Sequence, residues 1–256
     1  MREYHIAGRL APVIFKDTVD STNTALKELA RAGAESGTVL IARRQTGGRG
    51  RLGRSFESPP EGLYLSMLRK TALPPERTLT TTPMAAVAVC RTAEAVCGLS
   101  PEIKWPNDVL LGGKKLCGIL TELSVQRGEA TLVLGIGVNV NTPEESFSPA
   151  LRDTACSIYG QTGRKTDMAA FARRLIAELD ELFSLWEADS RAFLAEYRRR
   201  CSTPGQDILI LQNGESRPAR AVGINEDMSL QIVGENGAEA LRFGEISIRP
   251  AHVKAF

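Results

Sequence analysis

Past Pro204–Gly205 the sequence changes its hydrophobic period, and this change bounds the fold more tightly than any other feature of the chain. Asp207–Leu211, Arg217–Ile224, Ser229–Val233, Glu239–Phe243 and Ile246–Arg249 read as short β runs, separated by Asn-Gly, Glu-Asp and Gly-Glu turns. Such a succession predicts a small antiparallel barrel appended to a larger domain. Upstream, strand and helix patterns alternate. Val13–Phe15, Thr38–Ala42 and Leu63–Leu68 are apolar β runs, and Ile103–Trp105 and Val109–Leu111 bracket a Pro-Asn-Asp turn. Leu116–Leu123 and Ala130–Val140 read as a pair of long strands joined at Gln126–Glu129, the second apolar enough to lie centrally.

Three helices are legible among these strands. Thr24–Ala32 has helical spacing, Asp20 or Ser21 to cap its start, and Gly33 where a C-terminus uses it. Thr81–Cys97 carries Pro83 in its first turn, where proline is tolerated. In Asp167–Trp186, Phe171, Leu175, Ile176, Leu179, Leu182, Phe183 and Trp186 form one apolar stripe. A further helix is expected over Arg191–Arg200. A chain of 256 residues holds one good-sized domain plus a smaller one.

Lysines and arginines number 32 against 30 carboxylates, so no long-range basic field favours nucleic acid or membrane surfaces. Positive charge is instead local: Arg43, Arg44, Arg49, Arg51 and Arg54 fall in a stretch without an acid. The five cysteines show no CxxC spacing and only His5 and His252 accompany them, which argues against zinc, a disulfide framework or a Ser–His–acid triad. Buried free thiols are expected. The N-terminal stretch is too polar for a signal peptide and no run approaches a membrane span, so a cytoplasmic protein is expected.

Gln45–Arg54 (QTGGRGRLGR) is the strongest chemical signal. Its glycines bring backbone N–H groups near a ligand, and its arginines can surround phosphate or carboxylate oxygens with forked donors. The alternative, an RNA-binding Arg-Gly segment, fits poorly with one copy lying between apolar strands. No GK[ST] follows, so this is not a nucleoside-triphosphate P-loop. Asp20–Asn23 is what a helix cap needs and no more. In Lys104–Asp108 (KWPND) the Trp and Lys exceed what a turn needs, and Asp108 suits either Mg²⁺ or an Asx turn. Lys114 and Lys115 open a strand and face opposite sides of it. Gly135 and Gly137 alternate along an apolar strand, which signals close approach of a ligand or another backbone, or else plain packing.

In this order the motifs DSTN (20–23), QTGGRGRLGR (45–54), KWPND (104–108), KKLCGILTE (114–122) and GIGVNVN (135–141) resemble the biotin–protein ligase family, and GEISIR (244–249) resembles the end of its C-terminal domain. The resemblance spans roughly residues 13–250 and implies an α/β (α+β) catalytic domain with a mixed sheet over 1–202. That domain would be related to the class II aminoacyl-tRNA synthetase fold, with an SH3-like β-barrel over 203–256. It implies ATP-dependent activation of biotin to biotinyl-5′-AMP and transfer of the biotinyl group to a lysine of a biotin carboxyl carrier protein, with Mg²⁺ as the metal. Carried over by motif, Lys115, Arg49 and Arg51 are catalytic. Ser21, Thr22, Asn23, Gln45, Gly48, Arg49, Gly50, Arg51, Lys115, Gly135 and Gly137 bind biotin. Arg54, Phe56, Asn107 and Asn139 bind ATP, and Asp108 is the Mg²⁺ ligand. A homodimer is compatible with the family, whereas nucleic acid and membrane are not expected partners. Since no helix-turn-helix precedes the first strand, repressor function is not expected. The chain departs from the family at Phe56, where Trp is usual, and at Cys117, where alanine is usual. A lipoate–protein ligase shares the chemistry but lacks the GRGRxGR–KWPND pair.

Overall fold

The computed structural model describes residues 2–126, 129–212, 215–235, 237–242 and 247–250. Eight strands form one mixed sheet: β1 (Arg2–Tyr4), β2 (Val13–Val19), β3 (Val39–Gln45), β4 (Leu63–Thr71), β5 (Glu102–Lys104), β6 (Asp108–Leu111), β7 (Lys114–Gln126) and β8 (Glu129–Val138). Their spatial order is β1-β2-β3-β4-β8-β7-β6-β5, and only β2 and β3 run parallel. That pair is joined through helix α1 (Thr22–Arg31), because a parallel connection needs a crossover element.

Side chains alternate across the sheet, so its two faces build two cores. Leu40, Ala42, Leu68 and Val133 pack under Leu26 of α1. Val39, Ile41, Leu65, Leu134 and Ile136 belong to the larger opposite cluster. The helices on that side are α2 (Pro75–Thr78), α3 (Thr81–Cys97), α4 (Ile158–Thr162), α5 (Met168–Ala188) and α6 (Leu194–Arg200). The expected stripe of α5 is buried along its whole length, and Asp167 caps it by accepting from the N–H groups of Ala169 and Ala170. Helix α6 starts three residues later than the pattern suggested. Ala192 N–H and Leu194 N–H instead donate to Asp189 O and Arg191 O, closing turns first.

The C-terminal strands β9 (Asp207–Gln212), β10 (Glu215–Ile224), β11 (Leu230–Gly234), β12 (Gly237–Leu241) and β13 (Ser247–Pro250) form an antiparallel sheet ordered β12-β11-β10-β9-β13. The Asn213–Gly214 turn, Phe243 and the 244–246 part of GEISIR lie outside the described residues, as do 127–128 of the long hairpin. Ile208, Ile210, Ala221 and Ile232 join the large core cluster, so the hydrophobic interior runs continuously from α5 into these strands. Trp105 crosses the junction: buried, it donates from Nε1 to Met228 O at 2.8 Å and from its backbone N–H to Thr203 Oγ1 at 2.9 Å. Among the described residues no helix is long and apolar enough to cross a membrane.

Candidate functional site

Beyond the reach of α1 its face of the sheet lies open. Register places Ser66 and Leu120 on either side of Gly135, and Tyr64 and Gly118 on either side of Gly137. The glycines therefore form the floor of a cavity of about 490 Å³. The room they leave is taken by side chains of the protein itself. A Cβ on Gly137 would stand 2.5 and 2.6 Å from Cε1 and Cζ of Phe56, and one on Gly135 would stand 2.9 Å from Cγ of Asn23. The strand glycines suggested close approach of a ligand or another backbone, or else plain packing; in this structure the side chains of Phe56 and Asn23 pack over them.

One end of the cavity is polar and uncharged. Ser21, Thr22 and Asn23 sit at the start of α1, all buried. Ser21 is the backbone N-cap, yet neither it nor Asp20 caps through a side chain, contrary to the sequence expectation. Ser21 is instead turned to the cavity, and Asp20 supports the loop by accepting from Gly47 N–H through its carbonyl. Gln45, at the end of β3, accepts at Oε1 from Thr22 N–H at 2.8 Å and donates from Nε2 to Ser58 Oγ at 2.9 Å. Asn23 donates from Nδ2 to Glu122 Oε2 at 2.8 Å and to Leu120 O at 3.2 Å, while Lys27 pairs with the same carboxylate.

The Gly/Arg segment forms the cavity's rim. An antiparallel bridge from Arg49 to Ser55 closes it, with Phe56 N–H donating to Gly48 O at 2.9 Å. At its tip Leu52 is left-handed at φ 56° and 60% exposed, a conformation that costs a branched residue energy. Arg51 reaches inward and donates from Nη1 to Asn107 Oδ1 at 3.3 Å, whereas its Nη2 is buried with no hydrogen-bond partner. Burial pulls the Arg51 guanidinium below its ordinary value; Asp108 opposes this and Arg54 adds to it.

The opposite wall comes from the β5–β6 turn, which contains a cis Trp105–Pro106 bond. Asn107 fastens this turn to β7, donating from Nδ2 to Ile119 O at 3.0 Å and accepting Ile119 N–H at its own carbonyl. Asp108 Oδ1 lies 2.7 Å from Lys115 Nζ. Lys115 is held through its backbone: its N–H donates to Thr154 O at 2.7 Å and its carbonyl accepts from Cys156 N–H at 2.9 Å. Lys114 turns away, as alternation requires, donating to Arg152 O. Next to Lys115, Cys117 is buried and its thiol is held well above the ordinary value by burial, so it is no nucleophile.

Around the cavity, then, stand Arg49, Arg51, Arg54, Lys104 and Lys115 against the single carboxylate of Asp108. An unbalanced cationic wall with an orphaned guanidinium N–H suits a polyanion. Among the described residues no group of three or more His, Cys, Asp or Glu can hold a metal ion. Asp108 by itself fits an ion brought in on phosphate oxygens, since Mg²⁺ commonly uses one or two protein carboxylates.

All of the residues carried over by motif as catalytic, biotin-binding, ATP-binding or metal-binding line this cavity except Gly48 and Asn139. Gly48 lines a groove on the outer side of the loop, together with Arg43 and Arg44. Asn139 lines an adjoining cavity of about 690 Å³, which shares Phe56, Asp108 and Lys115 with the first. Its Nδ2 donates to Cys156 O at 3.0 Å, beside the segment that holds Lys115. Sequence reasoning missed Ser58, Ser66, Glu122 and Thr154. Ser66 left a trace, because a lone hydroxyl in the apolar run LYLSML must find a partner once buried.

Residues 15–141 match the profile of the Biotin/lipoate A/B protein ligase family. The biotin--[acetyl-CoA-carboxylase] ligase of Mycobacterium tuberculosis is 33% identical over 218 residues, covering 82% of this chain and 77% of that protein. The bifunctional ligase/repressor BirA of Bacillus spizizenii is 37% identical over 166 residues, 64% of this chain and 51% of that protein. The chain thus matches about half the length of that relative. A biotin protein ligase from Aquifex aeolicus, solved in complex with biotin and ATP, superposes with a TM-score of 0.81 at 29% identity, covering 93% of this chain and 99% of that one.

Proposed function

The chain belongs to the biotin–protein ligase family, and on that premise we propose that it activates biotin with ATP and passes the biotinyl group to a lysine of a biotin carboxyl carrier protein. The observation that carries this reading is the division of one cavity into an uncharged polar end at Thr22, Asn23 and Gln45 and a cationic end at Arg51, Arg54 and Lys115. A neutral ring with hydrogen-bonding edges suits the first, and a carboxylate facing a triphosphate suits the second.

In the first step a biotin carboxylate oxygen bonds to the α-phosphorus of ATP while the bond to the bridging oxygen breaks, giving biotinyl-5′-AMP and pyrophosphate. Two anions must meet, and Lys115 with Arg49 and Arg51 offsets their repulsion as charge builds on the α-phosphate. In the second step the carrier's neutral lysine amine bonds to the acyl carbon, the bond from that carbon to the phosphate oxygen breaks to release AMP, and the nitrogen loses a proton to solvent. Arg54, Phe56, Asn107 and Asn139 form the nucleotide side; Phe56 offers a ring face to a base. The remaining biotin contacts fall to Ser21, Gly50, Gly135 and Gly137, whereas Gly48, on the outer groove, serves that end only by holding Phe56 N–H at its carbonyl. Asp108 would hold Mg²⁺, whose part is to neutralise phosphate charge. Closure of the arginine loop would keep water from the mixed anhydride.

The same reading takes the C-terminal strands as an SH3-like barrel over 203–256, beside a catalytic domain over 1–202 related to class II synthetases. It also takes the protein to be cytoplasmic with no nucleic-acid partner, which the near-neutral net charge supports, and leaves a homodimer compatible with the family. ATP–pyrophosphate exchange tests the chemistry directly. Exchange driven by biotin and not by lipoate is expected. Exchange driven only by lipoate would move the substrate assignment, and exchange with neither would remove the ligase reading.

A further inference from the structure

We infer that Asn139 is a positioning residue for Lys115: it locks a β-bulge at Leu116 that turns Lys115, rather than Lys114, into the cavity. This rests on the reading above, in which Lys115 meets the reacting carboxylate and phosphate.

On β7, Cys117 belongs to the core cluster on one face of the sheet, and Gly118 lies under the Phe56 ring on the other. Strict alternation would carry this order toward the N-terminus, with Leu116 in the cavity and Lys115 in the core. The structure does the reverse. Leu116 is fully buried in the same cluster as Cys117. A Cβ on Gly118 would stand 3.3 Å from Lys115 Nζ, so two residues three positions apart share a face. The register with β6 shows the cause. Val109 pairs with Cys117 but Leu110 pairs with Lys115, which leaves Leu116 as one extra residue on β7. A bulge of this kind breaks the alternation and re-aims the side chain beyond it. Lys114 consequently points the other way, toward Arg152 O.

A bulge leaves backbone groups without ladder partners, and Asn139 is placed to secure them. Strand β8 pairs with β7 only as far as Val138 and Cys117. At the next residue the Asn139 N–H donates to Leu116 O at 3.0 Å, which satisfies the bulged residue's carbonyl. Ala155 then replaces β8 as the neighbour of Lys115, in a parallel bridge. That bridge consists of Lys115 N–H donating to Thr154 O at 2.7 Å and Cys156 N–H donating to Lys115 O at 2.9 Å. The side chain of Asn139 holds it in place: the residue is buried, and its Nδ2 donates to Cys156 O at 3.0 Å. Resemblance assigns Asn139 to the nucleotide; the bulge gives it a second task, carried out through Cys156 on Lys115.

The experiment is ATP–pyrophosphate exchange by the full chain at saturating ATP and biotin, run as a double-mutant cycle between Asn139 and Lys115. Asn139→Ala should slow exchange by about 10-fold or more, because misplacing a reacting group by about 1 Å is that costly. In a chain that already carries Lys115→Ala, the same substitution should change the rate by about twofold at most, because nothing is left to position. Lys114→Ala should keep the wild-type rate within about twofold, since the bulge turns that side chain out of the site. Asn139→Ser, a shorter donor, should lose less than Asn139→Ala, and it carries the cycle if a melting curve shows Asn139→Ala unfolded. Losses that multiply in the double variant would make Asn139 independent of Lys115 and overturn the inference. So would an Asn139→Ala chain with a raised KM for ATP and an unchanged saturated rate, the mark of nucleotide binding alone. A Lys114→Ala loss as large as that of Lys115→Ala would overturn the bulge itself. In each of these cases wild type still exchanges with biotin. Wild type that does not would remove the ligase reading, and the role of Lys115 with it.

Discussion

Lys115 Nζ stands 2.7 Å from Asp108 Oδ1, and this pair spans the seam between the two adjoining cavities, both of which it lines. The ammonium is thereby parked beside a carboxylate at the place where two substrate anions would converge, with the loop arginines opposite.

Lys115→Ala is accordingly expected to slow ATP–pyrophosphate exchange by about 100-fold or more, the scale of removing one fixed charge donor. Both partners are partly exposed, so the pair contributes no more than about 1 kcal/mol to stability and melting should shift by a few degrees at most. An exchange rate within twofold of wild type would remove Lys115 from the chemistry.

Gly137→Ala should destabilise the fold by about 1–3 kcal/mol, because its methyl would overlap the Phe56 ring. Phe56→Ala in the same chain should recover part of that loss. Urea denaturation of the two single variants and the double variant measures the coupling, expected at about 1 kcal/mol or more. Additive losses would mean that Phe56 rests elsewhere in solution.

Trp105→Phe removes the Nε1–H that satisfies Met228 O, a buried carbonyl, and should cost about 1–3 kcal/mol in denaturant unfolding. A loss below about 0.5 kcal/mol would show that the carbonyl finds another donor.

Acid lability should centre on the ion-pair cluster that ties α3 to α6. Hydrogen bonding from Arg200 holds the Glu94 carboxyl below its ordinary 4.5, and despite burial Arg91 and Arg200 do the same for Glu196. A carboxylate depressed in the folded state binds fewer protons there than in the unfolded chain. Its contribution is therefore complete above about 4.5 and is lost as pH falls through the lower folded value. Stability measured by urea unfolding from roughly pH 6 to pH 3 should fall at the acid end, and Glu196→Gln should flatten that fall while lowering stability near neutrality. An unchanged slope would place the acid sensitivity elsewhere.

Local pattern carried most of the fold. The stripe of α5, the proline-led start of α3 and the long β7–β8 hairpin each state their period within a dozen or so neighbouring residues, where side-chain spacing is visible. The approach of the Gly/Arg loop to KWPND was legible too, but only through resemblance, since Arg51 and Asn107 are 56 positions apart. What stayed hidden was long-range and side-chain in nature. No periodicity announces that Asn23 reaches Glu122 or that Ser66 lies beneath Thr22. Capping of α1 was misread for a related reason: Ser21 has the right residue type and backbone for a side-chain cap, yet the cavity takes its side chain instead.

The Trp105–Met228 contact has a consequence for how such chains can be recombined. Trp105 belongs to the same turn as Asn107 and Asp108, and its indole is anchored at Met228, in the turn between β10 and β11. Grafting those strands from a homologue is thus also an edit to the wall proposed to face the nucleotide. Chimeras should tolerate the swap only when the indole and the segment around Met228 travel together as a matched set, and a mismatched graft should betray itself first in ATP affinity.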